Sequence, residues 1–195
     1  VRDKGDPAGA WVVGGVVLCS AIPFTAGHLV TLHDPSNWVG PWLSAAGANI
    51  ILQMAHGTWA EALAEPPSGL VASAELLNLT QGIWMGWFLP FAMVLVLFPD
   101  GRPADAWGRR TAIALPALVV AFNLLLAIVH GPLTPPLPDW PRPFGTHWVG
   151  YACIPVLIAF YAALVAAALS TRRRYRAAST DLERSRLRWM FLSCL

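Results

Sequence analysis

Five stretches of the chain pass for about twenty residues each without a single Asp, Glu, Lys or Arg. An α-helix needs roughly 20 apolar residues to cross the hydrocarbon of a bilayer, and within lipid only helices and closed barrels satisfy the backbone. These runs are about twice the length of a membrane strand, so the pattern predicts an all-α, polytopic transmembrane helix bundle. The expected spans are 11–30, 38–59, 77–98, 111–130 and 148–170, with the start of another at 187–195. Composition agrees, since 56% of residues are hydrophobic and 12% charged, with a mean hydropathy of +0.53. Soluble domains carry about 25% charged residues. We read 1–195 as a single transmembrane domain. Because the last apolar run is cut at Leu195, the protein is expected to continue, with its output domain absent from this chain.

Arg2 and Lys4 ahead of the first run also fit a secretory leader. Against that, the apolar stretch continues past Pro23 to Val30, and no small-x-small site closes it. Leu18 is too large to precede a lipoprotein Cys19. The three cysteines, Cys19, Cys153 and Cys194, all sit in apolar runs and offer neither a disulfide framework nor metal spacing.

Twelve of the thirteen basic residues are arginine, and their distribution sets the orientation, because cytoplasmic loops retain Lys and Arg. Arg172, Arg173, Arg174, Arg176, Arg184, Arg186 and Arg188 follow the fifth run, which places that stretch in the cytoplasm. Working backwards, the segment 130–148 holds only Arg142, the segment after Phe98 holds Arg102, Arg109 and Arg110, and 60–75 holds none. Loops therefore alternate inside and outside, with 32–37 inside and the N-terminus outside. Arg2 and Lys4 run against the rule there. Trp11, Trp38, Trp42, Trp59, Trp148 and Trp189 fall at predicted span ends, where indoles prefer the headgroup layer.

Where the third run ends stands Leu97-Phe98-Pro99-Asp100-Gly101-Arg102-Pro103. Pro99, Asp100 and Gly101 are turn chemistry, and Arg102 marks the cytoplasmic side. Within that run, Gly82 and Gly86 have GxxxG spacing, which permits close helix approach; packing inside the bundle is favoured over dimerisation. Pro23, Pro90, Pro116 and Pro155 interrupt helices and can kink them. Asn49, Gln53 and His56 are spaced i, i+4, i+7 and share one face of the second helix, with Asn78, Gln81 and Asn123 on others. They could line a polar pocket for a small ligand or proton, or serve as interhelical hydrogen-bond glue worth roughly 0.6–2 kcal/mol per bond. The outside segment from Gly131 to Pro143 is too rich in proline for helix or sheet and reads as a stiff polyproline-like strap. The other outside stretch, with Glu61, Glu65 and Glu75, is short and acidic.

After the fifth run, Thr180-Asp181-Leu182-Glu183 fits a capping box, with Thr180 as N-cap. A helix should start there and run unbroken through Arg184, Arg186 and Arg188. Arginines near the surface attract anionic lipid headgroups at about 1 kcal/mol each. The cluster Arg172, Arg173, Arg174, Arg176, Glu183, Arg184, Arg186 and Arg188 is thus a candidate for lipid contact and for coupling to an output.

The turn Leu97-Phe98-Pro99-Asp100-Gly101-Arg102, followed two helices later by Glu183-Arg184-Ser185-Arg186-Leu187-Arg188-Trp189, resembles the N-terminal transmembrane region of actinobacterial sensor histidine kinases. In that family an LFPDGR-like turn and an ER-led, LRW-ending helix start recur at this spacing. The resemblance covers roughly 38–195. It departs at Arg186, where the family often has glutamine, and the first helix matches nothing specific. It implies a membrane-embedded sensory module of a two-component signalling protein in the bacterial plasma membrane. A cytoplasmic dimerisation and ATP-binding kinase module would follow, through which a homodimer and a response regulator become partners.

No nucleotide loop, kinase ATP-binding box, HExxH or Ser/His/Asp set is present. We therefore expect no catalytic residue, cofactor, metal or nucleic-acid partner for this stretch. The alternative function is a small transporter or channel subunit working through Asn49, Gln53 and His56, although no inverted repeat or pair of broken helices supports it.

Overall fold

Two prolines and a run of small residues decide how the helices are cut and packed. A computed structural model describes residues 7–64, 80–129, 148–178 and 180–193. Arg2, Lys4, Glu65, Glu75, Asn78, the proline-rich segment and Cys194 lie outside the described residues. The elements are α1 (Pro7–His33), α2 (Val39–Ala64), a 3₁₀ segment (Gln81–Trp87), α3 (Leu89–Leu97), α4 (Ala106–Ile128), α5 (Val149–Ala177) and α6 (Asp181–Ser193). The fold is all-helical, with no strand among the described residues.

Three helices are long and apolar enough to cross a membrane: Trp11–His33, Ala106–Ile128 and Val149–Ala177. The other two expected spans differ for physical reasons. In α2, the polar side chains of Asn49, Gln53 and His56 lower the mean hydropathy of an otherwise long helix. The third expected span is not a continuous α-helix. Pro90 has no N–H to offer the carbonyl four residues back and its ring crowds that turn, and Gly82 and Gly86 further weaken α-helix. The chain winds as 3₁₀ over Gln81–Trp87 and restarts as α-helix with Pro90 in its first turn. Pro23, Pro116 and Pro155, by contrast, sit inside continuous helices.

Two boundaries move outward into charged sequence, and a third falls where the capping pattern puts it. The Asp105 carboxylate accepts a hydrogen bond from the Gly108 amide at 2.6 Å, an N-cap. It starts α4 at Ala106, which draws Arg109 and Arg110 into the helix rather than leaving them in the loop. At the other end of the bundle's sequence, α5 continues to Ala177, so Arg172 to Arg176 are helical. The Thr180 hydroxyl accepts from the Glu183 amide at 3.3 Å, and α6 runs unbroken from Asp181, as the capping pattern predicts.

Packing follows small residues. α1 and α2 form a hairpin in which Gly27 meets Gly40 and Ser44, and Gly47 meets the Ser20 carbonyl, so closely that neither glycine could carry a methyl group. In lipid, apolar burial alone gives helices little reason to associate, and close van der Waals approach through small residues supplies it. Among the described residues α1 packs on α2 alone and leaves Trp11, Val12, Leu18, Ile22 and Leu32 exposed. α3 is wedged between α2, α4 and α5, and the 3₁₀ segment packs against α2 and α4. The centre of the bundle lies there, with Met85, Val96, Leu115 and Phe160 fully buried.

Candidate functional site

The turn after α3 is held by side chains from two other parts of the chain. A helix leaves its last four carbonyls without intrahelical donors, and here Pro99 removes the N–H that would have served Leu95. Thr171 of α5 replaces it, donating its hydroxyl to the Leu95 carbonyl at 2.8 Å. Phe98 and Gly101 amides serve the carbonyls of Val94 and Leu97, at 2.8 and 2.9 Å. Arg174, one turn beyond Thr171, completes the set. Its Nη1 donates to the carbonyls of Leu97 at 3.2 Å and of Phe98, and its Nη2 to that of Arg102 at 2.8 Å. Nη2 also lies 3.6 Å from the Asp100 carboxylate. A cation at a helix C-terminus is favoured by the dipole as well. The guanidinium fork suits several carbonyls at once in a way an ammonium would not.

On the opposite side, Asn37 in the α1–α2 loop donates to the Pro99 carbonyl at 3.0 Å and accepts from the Val39 amide at 3.0 Å. Gly101 sits against it with φ +72, a conformation glycine tolerates best. A methyl group there would lie 2.5 Å from Asn37 Oδ1 and from the Trp38 nitrogen. The structure thus brings together the 32–37 loop, the turn Pro99, Asp100, Gly101 and Arg102, and the end of α5.

Arg174 departs from the lipid-contact expectation of its cluster. Its side chain is 8% exposed, turned into the protein. Arg172, Arg173, Arg176, Arg184, Arg186 and Arg188 are exposed, and Glu183 is half-buried. Arg173 lies over the Trp107 ring, 4.9 Å from its centroid. Arg184 donates to the Ala178 carbonyl at 3.1 Å and pairs with Asp181 at 3.8 Å. The heptad step from Phe160 to Ala167 to Arg174 is the signal that separates Arg174 from its neighbours, because all three share one buried face of α5.

Beside the turn lies an open cleft of about 520 Å³, lined by Ser36, Trp38, Trp42, Met93, Leu97, Gly101, Arg102 and Pro103. No motif in the sequence announces it. Asp34 stands near its rim, accepting from the Ser36 hydroxyl at 2.7 Å and amide at 3.0 Å. These bonds hold its carboxyl below the usual carboxylate range against the opposing effect of desolvation, with smaller help from the charges of His33 and Arg102.

The polar face of α2 is taken up by packing. Gln53 donates to the Ile83 carbonyl of the 3₁₀ segment, and the His56 ring nitrogen Nε2 lies 3.0 Å from the Thr80 hydroxyl. Asn49 packs on Gly86, and Asn123 of α4 packs on Gly82 while donating to Val119 at 2.9 Å. A 3₁₀ helix has 3.0 residues per turn, which sets positions i and i+4 about 120° apart. The two glycines of the GxxxG pair therefore serve two different neighbours within the chain. Trp84 between them stacks edge-on with Phe88 and Phe122, at centroid distances of 6.4 and 5.9 Å. No family model, curated protein or solved structure matches the chain.

Proposed function

We propose that this chain is the membrane-embedded input module of a bacterial signalling protein, of the sensor histidine kinase kind its two motifs resemble. It lies in the plasma membrane as a multi-pass bundle with its Arg-rich end in the cytoplasm. α1, α2, α4 and α5 each cross. The 3₁₀ segment and α3 together cross as well: seven residues at 2.0 Å, nine at 1.5 Å and the junction reach about 29 Å, close to the hydrocarbon thickness of roughly 30 Å.

The observation that carries the reading is the grip of Arg174 on the LFPDGR turn. An input module has to convert an event in the membrane into displacement of the helix that leads to the output. Arg174 lies at the end of α5, a few residues before α6, and fastens that exit to the turn of the first motif. The exposed arginines beside it rest on anionic headgroups, and a kinase module, homodimer contacts and a response regulator are what the resemblance of the two motifs implies for the signalling protein as a whole. The test is a fusion of this chain to a histidine kinase catalytic module. Arg174→Gln should shift basal autophosphorylation several-fold while Arg110→Gln, an exposed arginine of α4 outside the cluster, leaves it unchanged. Equal output from both, with both variants membrane-inserted, would remove the signalling role.

A further inference from the structure

The cleft beside the turn has chemistry that the grip of Arg174 does not use. Met93 and Leu97, each 5% exposed, form its floor, and Trp38, 62% exposed, stands at its mouth with Trp42 behind. An apolar floor with an indole lip accepts a hydrocarbon chain. The volume of about 520 Å³ is within the range of small-ligand sites.

One charged residue, Arg102, lines the cleft, and a second of opposite sign, Asp34, is bonded to the lining residue Ser36. Arg102 is exposed, and its side chain makes no ion pair among the described residues. Asp34 is tied to the cleft through Ser36, whose hydroxyl and amide both bond its carboxylate. A simple anionic amphiphile would satisfy Arg102 but place its charge beside Asp34. An organic cation would meet the reverse problem. A headgroup with a phosphate and, a short ethylene away, a primary ammonium meets both charges at once, and its N–H groups can donate to the Asp34 carboxylate, which a quaternary ammonium cannot do.

We propose that the cleft holds one aminophospholipid of the phosphatidylethanolamine type, with its phosphate on Arg102, its ammonium toward Asp34 and an acyl chain along Trp38, Trp42, Met93 and Leu97. The inference rests on the membrane reading above and supplies it with a ligand. Arg102 offers its side chain to the lipid and its carbonyl to Arg174 Nη2 at 2.8 Å. Occupancy of the cleft is thereby passed to the end of α5 through a single residue.

The experiment uses the full chain in nanodiscs of phosphatidylcholine containing a minority of either phosphatidylethanolamine or phosphatidylglycerol. Native mass spectrometry identifies the lipid that stays with the protein on ejection. One phosphatidylethanolamine should be retained in preference to the other two. Arg102→Gln should lower that retention about tenfold, the loss of one charge-assisted contact. Asp34→Asn should shift the preference toward phosphatidylglycerol, and Arg110→Gln, at an exposed position on α4 outside the cleft, should change nothing. Met93→Trp, which fills the floor, should abolish retention, and Trp38→Ser serves as a second groove variant should Met93→Trp not fold. Equal retention of all three lipids, or retention that survives both Arg102→Gln and a folded groove variant, marks annular lipid and overturns the proposal. Preference of the unmodified chain for phosphatidylglycerol overturns it too. Release of the chain from membranes by alkaline carbonate would instead overturn the membrane reading itself.

Discussion

Removing the Arg174 guanidinium should be the most damaging single change at the Arg-rich end of the bundle. In Arg174→Ala the carbonyls of Phe98 and Arg102 lose this donor, while Leu97 keeps the Gly101 amide. Each buried acceptor left without a partner costs about 1–3 kcal/mol. Water can reach part of this turn, so the two together should cost about 3 kcal/mol. The ion pair adds little, because the Asp100 side chain is 68% exposed at a separation of 3.6 Å, and exposed pairs contribute about 0–1 kcal/mol. In a chain of this size each kcal/mol moves Tm by about 2–4 °C, so Arg174→Ala should melt about 6–12 °C lower. Arg174→Lys keeps the charge but not the fork, and should recover about half of the loss. Asp100→Asn should stay within about 4 °C of the unmodified chain. Thermal unfolding in mild detergent, followed by Trp fluorescence, measures all three beside the exposed control Arg172→Ala. If Arg174→Ala melts with that control, or Asp100→Asn costs as much as Arg174→Ala, the carbonyl-capping argument is refuted.

Other positions give sharp contrasts. Gly101→Ala combines a left-handed backbone with a methyl group 2.5 Å from the Trp38 nitrogen, and should cost about 3 kcal/mol in the same melt. Gly82→Ala and Gly86→Ala push into Asn123 and Asn49 at 2.7 and 2.5 Å and should each cost about 1–3 kcal/mol; Gly14→Ala, with nothing within 4 Å, should be neutral or slightly stabilising. For sidedness, impermeant thiol reagent added outside intact cells should label a cysteine at Thr134 and spare one at Ala104, and the reverse pattern overturns the orientation.

Much of the fold was legible because the bilayer imposes length. Trp11–His33, Ala106–Ile128 and Val149–Ala177 overlap three of the expected runs, and the start of α6 was readable from Thr180 and Glu183. By hydropathy the third run reads as one α-helix, although Pro90 and the two glycines argue against it and the chain winds there as 3₁₀ and then α. A 3₁₀ segment has no signature in hydropathy. Helix ends beyond the apolar runs were also missed, since Ala106 to Arg110 and Arg172 to Ala177 are helical through capping and packing rather than apolar content. The candidate site was half visible. The turn residues and the arginine cluster were both singled out, but charge alone could not tell Arg174 from Arg172 or Arg176. When nearly every residue of a span is apolar, hydrophobicity does not distinguish the protein face from the lipid face. The small residues Ala163, Ala167, Ser170 and Thr171, all buried, mark the protein face of α5 and lead directly to Arg174. The cleft could not be foreseen, since Ser36, Trp42, Met93 and Arg102 meet only after α2, α3 and the turn are assembled.

If Arg174 binds the LFPDGR turn to the end of α5, the two move as one body. Spin labels at the exposed positions Ala104 and Arg176, in the chain reconstituted in bilayers, report this by pulsed dipolar spectroscopy. One narrow distance distribution is expected in the unmodified chain and a broad one in Arg174→Ala. Identical narrow distributions in both, or a broad one in the unmodified chain, would contradict it.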